Sequence, residues 1–264
     1  MSIYKNDRLE FVRQSVRSIL DQTFSEFHYF LIFDGPVQPE VEAYVNSLTD
    51  NRIKLFRLEQ NSGLATALNF LLQLVLKNPE YKFIVRMDAD DISMPLRFEK
   101  QRTYLLAKPD ITVLGCWYEE IDESGRHLSY RRLPTDHESL RKRYFTRTPF
   151  AHSSVMYRRD LIEKAGFYST DTNLMEDNVL WGRALKGGLR VANIPDYLSK
   201  FRIDKDYYKR RSGLKYGWNY IQKKARVNKS LNAPLYLLPI LFIQGVLKML
   251  PGFCLKQFYR LRKK

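Results

Sequence analysis

The sequence has few of the features that mark a secreted or membrane-spanning protein. It contains two cysteines, Cys116 and Cys254, which lie far apart and show no metal-ligand spacing. A disulfide framework is therefore not predicted, and a reducing compartment is favoured. The first residues lack a basic region followed by an apolar core, so no secretory signal is expected there. These absences favour a cytoplasmic protein.

Acidic residues are missing from the last part of the chain. Residues 207–264 contain 14 lysines and arginines and no aspartate or glutamate, whereas residues 1–206 contain 30 basic and 29 acidic residues. Almost all of the net charge of +15 therefore lies in one segment. We predict a nearly neutral domain at residues 1–205 and a basic helical tail at residues 206–264. Charge of a single sign indicates an anionic partner, either a membrane surface or nucleic acid.

The tail also lacks an uninterrupted apolar run that could span a bilayer, which takes about 20 residues. Its apolar run at 234–247 contains two prolines and Gln244, and Lys248 follows directly. Long aliphatic runs do not stack on or read bases, so a membrane surface is favoured and no nucleic acid is expected. We predict peripheral association with the inner face of the cell membrane. The alternative is an apolar helix that closes the core of the main domain.

Strands and helices alternate through the first 120 residues. Apolar periodicity predicts helices at 8–21, 37–48, 63–76 and 94–107, and strands at 27–33, 52–58, 81–85 and 111–118. This alternation is typical of an α/β sheet with parallel strands, whose ligands bind beyond the carboxyl ends of the strands. The pattern then weakens, and we predict a strand at 152–157 and helices at 159–164 and 178–185.

Three carboxylates follow the apolar strand at 81–85, namely Asp88, Asp90 and Asp91. Repelling charges at the end of a buried strand destabilise it unless a cation or hydrogen-bond donors are present. Oxygen ligands of this kind suit Mg²⁺ or Mn²⁺, which complete their shells with water and substrate phosphates. Asp34 ends a neighbouring strand, so the same edge of the sheet should bind a phosphorylated ligand. The alternative is a solvated turn that caps the next helix.

Several segments share their motifs with one enzyme family. They lie at residues 13–24, 33–35, 61–69, 87–95, 151–156, 175–181 and 194–202. In this order and spacing the chain resembles the inverting family-2 glycosyltransferases over residues 1 to about 204. The resemblance implies the GT-A fold, a Rossmann-like, mixed and mostly parallel sheet flanked by helices. It is closest to bacterial enzymes that build capsule, exopolysaccharide or O-antigen units on polyprenyl diphosphate.

The resemblance also assigns roles to individual residues. It implies that Asp34 binds the nucleobase, and that Asp88 and Asp90 hold the ribose and a divalent cation, Mn²⁺ or Mg²⁺, on the diphosphate. Such an ion neutralises the leaving group. Asp177 matches the general base. The other substrate-binding residues that it implies are Ser2, Tyr4, Asn61, His152, Glu176 and Arg202.

Structural alternatives stand beside these roles. Asp34 could be an ordinary turn aspartate, and Glu176 and Asp177 could simply favour the start of a helix. His152 could be a structural histidine, and Arg202 a surface arginine. Arg86 could pair with the acidic cluster.

The segment that matches the first strand of the family starts in the middle of that strand. Either residues upstream of Met1 are missing from this sequence, or the first strand is short and the base pocket is weaker. Ser2 and Tyr4 are expected to line that pocket in both cases.

The sequence therefore predicts an inverting transferase that moves a sugar from a nucleotide sugar, with a UDP-sugar expected, to a hydroxyl of a saccharide acceptor. The charged apolar tail suggests that a membrane lipid carries this acceptor. A nucleotidyltransferase of related fold is one rival, since it would share the sheet and the metal aspartates. A non-enzymatic basic membrane-binding protein is the other, but it leaves the aspartates of the neutral body unexplained. Motifs do not identify the donor sugar, the acceptor or the linkage.

Overall fold

The computed structural model describes residues 1–171 and 175–261, so the last three residues of the predicted tail lie outside it. The described strands are β1 (Ser2–Ile3), β2 (Tyr29–Phe33), β3 (Ile53–Arg57), β4 (Phe83–Val85), β5 (Ile92–Ser93), β6 (Ile111–Ile121), β7 (His127–Arg131), β8 (Met156–Arg158) and β9 (Arg190–Arg202). The helices of the body are α1 (Leu9–Leu20), α2 (Pro39–Asn46), α3 (Leu64–Leu76), α4 (Arg97–Ala107), α5 (His137–Tyr144), α6 (Asp160–Ala165) and α7 (Glu176–Lys186). Beyond residue 205 lie α8 (Tyr207–Arg210), α9 (Leu214–Ser230), α10 (Leu238–Met249) and α11 (Gly252–Leu261).

The strands form two hydrogen-bonded sheets. One is parallel with the order β1–β2–β3, and the other has the order β4–β8–β6–β9–β5, with β7 added to β6. Strand β6 pairs in parallel with β9 but antiparallel with β7 and β8. The parallel pairings contain the larger share of the paired residues. The predicted fold class, a mixed and mostly parallel α/β sheet with flanking helices, is confirmed.

The second half of the body differs from the prediction in detail. Residues 152–154, expected in a strand, form a short 3₁₀ helix before β8. Strand β6 continues through the acidic residues 119–121, because β7 pairs with this part of it. Strand β9 was not predicted and contains Pro195, which cannot donate a ladder hydrogen bond. The register of β9 against β6 shifts just there, between Cys116 and Trp117, and so accommodates the proline.

The first strand is short in the structure, with two residues paired to Ile32 and Phe33 of β2. An apolar cavity of about 950 Å³ lies beside it, between β2 and β4, and Tyr29, Leu71 and Phe83 contribute to its wall. The Met1 ammonium group donates to the carbonyl of Phe30 at 2.6 Å.

The helices that follow residue 205 pack on the body. Gly182 of α7 has no side chain, and Val227 of α9 takes its place: a Cβ at Gly182 would lie 2.3 Å from Val227 Cγ1. The Lys224 ammonium group donates to the Tyr144 carbonyl, and Asn228 Nδ2 donates to the Phe145 carbonyl at 2.9 Å. Lys224 is 1% exposed. Part of the predicted tail therefore belongs to the packed interior.

The next helix, α10, leaves much of its apolar surface in solvent. It crosses α9 closely at Gly217 and Gly245, where a Cβ on either glycine would clash with the other helix. Its outer face exposes Phe242 and Ile243, each 57% exposed. None of the helices in residues 1–171 and 175–261 is long and apolar enough to cross a membrane.

Candidate active site

A large cavity of about 1640 Å³ opens beyond the carboxyl ends of β1, β2 and β4. The sequence-predicted site residues all line it: Ser2, Tyr4, Asp34, Asn61, Asp88, Asp90, His152, Glu176, Asp177 and Arg202. The carboxyl ends of β1 and β2 meet at one edge of the parallel sheet, and β4 of the second sheet ends at the same cavity, so residues far apart in sequence converge there. The structure thus brings the predicted residues into a single site, while their individual roles stay predictions.

Asp34 follows β2 and is 2% exposed. Its Oδ1 accepts from the Ser62 amide at 2.7 Å and its Oδ2 from the Gly63 amide at 3.0 Å. Asn61 Nδ2 donates to the Asp34 carbonyl at 3.3 Å. A carboxylate has about four acceptor positions, so two remain for a base. Asp34 therefore orders the loop before α3 and still faces the cavity.

The loop after β4 is fixed from two sides. Arg86 is 4% exposed and donates through Nη2 to Asp88 Oδ1, which confirms the predicted pairing of Arg86 with the acidic cluster. Ser15 Oγ of α1 donates to the Asp88 carbonyl at 2.7 Å. Burial by itself would raise the pKa of the Asp88 carboxyl, but the neighbouring Arg86 charge lowers it, and the resulting pKa lies below the usual value. Asp88 is therefore ionised at neutral pH.

Asp90 has no such partner, and its environment is different. Burial and then repulsion from Asp88 raise the pKa of the Asp90 carboxyl to about 6. Excess negative charge of this kind is what a cation relieves. The prediction of a solvated turn for the cluster as a whole is wrong, because Asp91 is 1% exposed.

Asp91 lies behind the cavity wall and holds the loop in place. Its Oδ2 accepts from Ser153 Oγ, and its Oδ1 accepts from the Arg202 amide at 2.8 Å. These bonds join the β4 loop to the end of β9. Asp91 is therefore a structural anchor.

Arg202 is 2% exposed, so the alternative of a surface arginine is wrong. Its Nε donates to the Asp90 carbonyl at 2.8 Å, Nη1 to the carbonyls of Asp122 and Glu123, and Nη2 to Gln14 Oε1 at 2.6 Å. Its guanidinium carbon lies 4.3 Å from the Phe11 ring centre. Most of its donors are used within the protein, where they position Asp90.

Glu176 and Asp177 open α7, where the helix dipole favours negative charge. Both also line the cavity, so their position at the start of a helix is compatible with the predicted role in the site. Burial, followed by repulsion from Glu176, raises the pKa of the Asp177 carboxyl to about 6. At neutral pH Asp177 is largely ionised and close to the pKa that suits proton transfer.

The ring of His152 lies against Tyr168, whose hydroxyl is 2.9 Å from Nε2. Burial and then the Arg86 charge lower the pKa of His152 to about 3, so its imidazole is neutral. Trp181, one turn after Asp177, is 1% exposed and packs edge-on against Phe150 at 5.4 Å. Trp181 is therefore a core residue.

The acidic residues fit a divalent cation with few protein ligands. Among the described residues no group of three or more histidine, cysteine or acidic side chains could enclose a metal. Asp204 nevertheless adds a buried Oδ1 without a hydrogen-bond partner to the cavity that Asp88 and Asp90 line. Mg²⁺ and Mn²⁺ sites with one or two carboxylates, completed by water and phosphates, have this donor set.

Sequence reasoning missed the contribution of the C-terminal helices to this cavity. The residues that this segment adds to the cavity lining include Arg211, Tyr216, Tyr220 and Lys248. The single-signed charge of this segment was visible in the sequence, but charge alone did not distinguish a cavity wall from a membrane-facing surface.

Comparisons with known proteins agree with this geometry. The model of the family described as "Glycosyl transferase family 2" matches residues 1–166. The amylovoran biosynthesis glycosyltransferase AmsE of Erwinia amylovora is 34% identical over 95% of this chain and 90% of its own length. A UDP-Gal:alpha-D-GlcNAc-diphosphoundecaprenol beta-1,3-galactosyltransferase of Escherichia coli is 32% identical over 84% of this chain and 79% of its own length.

Solved structures share the fold at low sequence identity. The mannosyltransferase PcManGT from Pyrobaculum calidifontis, in complex with GDP-Man and Mn²⁺, gives a TM-score of 0.63 at 18% identity, over 92% of this chain and 68% of that one. TarS 1-349 of S. aureus, in complex with UDP-GlcNAc, gives a TM-score of 0.61 at 14% identity, over 94% and 79%. Identities this low support the fold alone.

The raised pKa of Asp177 predicts how stability depends on pH. Because its pKa rises from 3.8 to about 6 on folding, the folded state binds the proton more tightly and loses stability as pH rises through this range. We expect Asp177→Asn to raise the free energy of unfolding by about 1–3 kcal/mol at pH 8, and by less at pH 5. Urea denaturation at both pH values measures this. Asp21→Asn, at an exposed position, should change stability by under about 0.5 kcal/mol. Equal gains for Asp177→Asn at both pH values would contradict the assignment.

Proposed function

This chain belongs to glycosyl transferase family 2, and on that premise we propose that it transfers a sugar from a nucleotide diphosphate sugar to a hydroxyl of a saccharide acceptor, with inversion. The observation that carries the proposal is the convergence of Asp34, the Asp88–Asp90 pair and Asp177 on one cavity. These are a base-binding carboxylate, a diphosphate-binding pair and a proton acceptor, the three parts that such a transfer needs. The relatives from Erwinia amylovora and Escherichia coli place the step in bacterial surface polysaccharide biosynthesis.

The donor lies along the wall formed by β1, β2 and β4. Asp34 and Asn61 bind the nucleobase, beside Ser2 and Tyr4, and Asp88 binds the ribose. A divalent cation, Mn²⁺ or Mg²⁺, would supply positive charge against the departing diphosphate when bound. Asp90 and Asp88 hold it, and Arg202 keeps Asp90 in place through the Asp90 carbonyl. Neutral His152 borders the diphosphate region without adding positive charge.

The acceptor hydroxyl lies beside Asp177. The ionised carboxylate takes the hydroxyl proton as the oxygen attacks the anomeric carbon, and the bond to the nucleoside diphosphate breaks on the opposite face. Attack from the face opposite the leaving group inverts the configuration. Glu176 contributes negative charge next to Asp177 and supports its raised pKa.

Names of the similar proteins support finer assignments of donor and acceptor. TarS is described with UDP-GlcNAc, and the Escherichia coli relative uses UDP-Gal and a diphosphoundecaprenol-linked acceptor. We propose a UDP-sugar as the donor and a saccharide on polyprenyl diphosphate as the acceptor. A lipid carrier places the enzyme on the cytoplasmic face of the membrane, where nucleotide sugars are available. The domain at residues 1–205 supplies the donor site, and the segment at 206–264 supplies the membrane contact.

The decisive experiment identifies which phosphate compound is released from the nucleotide sugar. Nucleotide sugars are screened with lipid-diphosphate saccharides, and we expect release of a nucleoside diphosphate. Asp177→Asn should lower kcat by about 10²–10⁴-fold, since the proton acceptor is lost, while UDP affinity measured by calorimetry stays within a few-fold. Release of inorganic diphosphate instead would indicate a nucleotidyltransferase and contradict the proposal.

Metal binding is tested separately from turnover. Asp90→Ala should weaken Mn²⁺ binding in the presence of UDP by at least about tenfold, because one of few protein ligands is lost. Electron paramagnetic resonance of free Mn²⁺ measures it. Asp110→Ala, which removes an exposed carboxylate paired with Arg190, is the matched control. Unchanged Mn²⁺ affinity in Asp90→Ala would show that Asp90 does not hold the ion.

Membrane association is proposed to use the outer face of α10. Replacing Phe242 and Ile243 together by serine should reduce sedimentation with vesicles that contain anionic phospholipid, because both side chains are largely exposed and apolar. The same double change at Leu106 and Leu128, exposed residues of the body, is the control and should leave sedimentation unchanged. Equal sedimentation of all three proteins would refute membrane contact through α10.

A further inference from the structure

Two cations from the C-terminal segment line the same cavity as the aspartates. Arg211 directly follows α8, and Lys248 lies near the end of α10. The Gly213 amide donates to the Lys248 carbonyl at 2.8 Å, which ties the two segments together. Both side chains share the cavity with Asp88, Asp90 and Asp177. Positive charge from the C-terminal segment is thus built into the site itself.

The charges of Asp177 and Asp90 act on Arg211 from a distance and favour its charged form. Within the described residues neither Arg211 nor Lys248 forms an ion pair, and Arg211 Nη1 is buried without a hydrogen-bond acceptor. Their contacts are with aromatic rings: the Arg211 guanidinium carbon lies 4.1 Å from the Tyr207 ring centre, and Lys248 Nζ lies 4.9 Å from that of Tyr220. Rings orient a cation but do not accept its strong hydrogen bonds. An anionic ligand with several oxygens would do so.

The two charges also disfavour each other. Burial, and after it the Arg211 charge, lower the pKa of Lys248 to about 8. Neighbouring cations repel each other, and an anion that binds both relieves this repulsion. Arg211 and Lys248 are therefore preorganised for an anion, as in phosphate-binding sites.

The surroundings indicate what the anion is attached to. Apolar side chains of the same segment, Leu247, Leu255 and Phe258, line this end of the cavity. Beyond them Leu250 and Phe253 are 40% and 76% exposed. An anion site that opens onto an apolar surface suits a phosphate group esterified to a hydrocarbon chain. The proposed function, in contrast, assigns the donor diphosphate to Asp88 and Asp90.

We propose that Arg211 and Lys248 form a second diphosphate subsite, which binds the diphosphate of the lipid-linked acceptor. The assignment to the acceptor rests on the proposed function. The subsite orients the acceptor saccharide toward Asp177 and lets its hydrocarbon chain leave along α10 and α11. The C-terminal helices then determine acceptor class, while the sheet edge determines the donor.

The test begins with inorganic diphosphate in the presence of EDTA, because binding through the aspartates needs a divalent cation and binding through Arg211 and Lys248 does not. Calorimetry on the full chain should show binding that weakens about tenfold or more in Arg211→Gln, Lys248→Gln and the double variant. Lys215→Gln, which removes an exposed cation of the same segment, is the matched control. Arg211→Lys, which keeps the charge, should recover part of the affinity. Circular dichroism melting identifies any variant that fails to fold. The diphosphate affinities of the folded single variants are then compared with that of the wild type.

A kinetic arm distinguishes the two sources of diphosphate. We expect the KM for the lipid-diphosphate acceptor to rise about tenfold in Arg211→Gln and Lys248→Gln, with little change in the KM for the nucleotide sugar. A rise in the donor KM alone would overturn the acceptor assignment. Diphosphate binding that is absent in the wild type, or equal in the wild type and the variants, would overturn the subsite. The binding arm does not depend on turnover, so its failure is distinguishable from failure of the proposed transfer.

Discussion

Repulsion among carboxylates is the constraint on which the rest of the site depends. Asp88, Asp90, Glu176 and Asp177 share one cavity whose walls exclude much of the water that would screen them. Specific partners stabilise such an arrangement, here the Arg86 guanidinium on Asp88 and the Asn178 amide on Asp177. The charge that remains unneutralised lies mainly at Asp90 and Asp177, whose raised pKa values fit the cation-binding and proton-accepting roles of the proposed function.

Positioning is provided by groups that do not themselves face the substrate. Asp91 and Arg202 connect the β4 loop to β9 through Ser153, the Arg202 amide and the Asp90 carbonyl. These contacts join residues more than 100 positions apart in the chain. Because Asp91 and the Asp90 carbonyl are both hydrogen-bonded to Arg202, the loop that carries Asp90 has little freedom to move. Precise placement of a metal ligand depends on such supporting contacts.

The C-terminal segment has two faces with different physical tasks. Its inner face packs Lys224 and Asn228 on the body and adds Arg211 and Lys248 to the cavity, while the outer face of α10 exposes aliphatic and aromatic side chains. A membrane surface and an interior contact looked like alternatives in the sequence. In the structure they are compatible, because a helix can bury one side and present the other. Positive charge on the inner face also offsets the carboxylates across the cavity.

The sequence by itself determined the local elements and the chemistry of the site. Helices α1 to α4 lie within three residues of their predicted bounds, since their apolar periodicity is strong, and the Asp88–Asp91 cluster marked the reactive edge because repelling carboxylates need a reason to be adjacent. Strand β9 escaped prediction because Pro195 interrupts its pattern and its ladder partners come from distant strands. Only the tertiary structure decided that Asp91 is buried and that Arg202 donates to backbone carbonyls and to Gln14. It also decided that Arg211 and Lys248 line the same cavity as the aspartates. Periodicity reports which face of an element is apolar, but which charged groups meet across a cavity depends on packing between segments far apart in the chain.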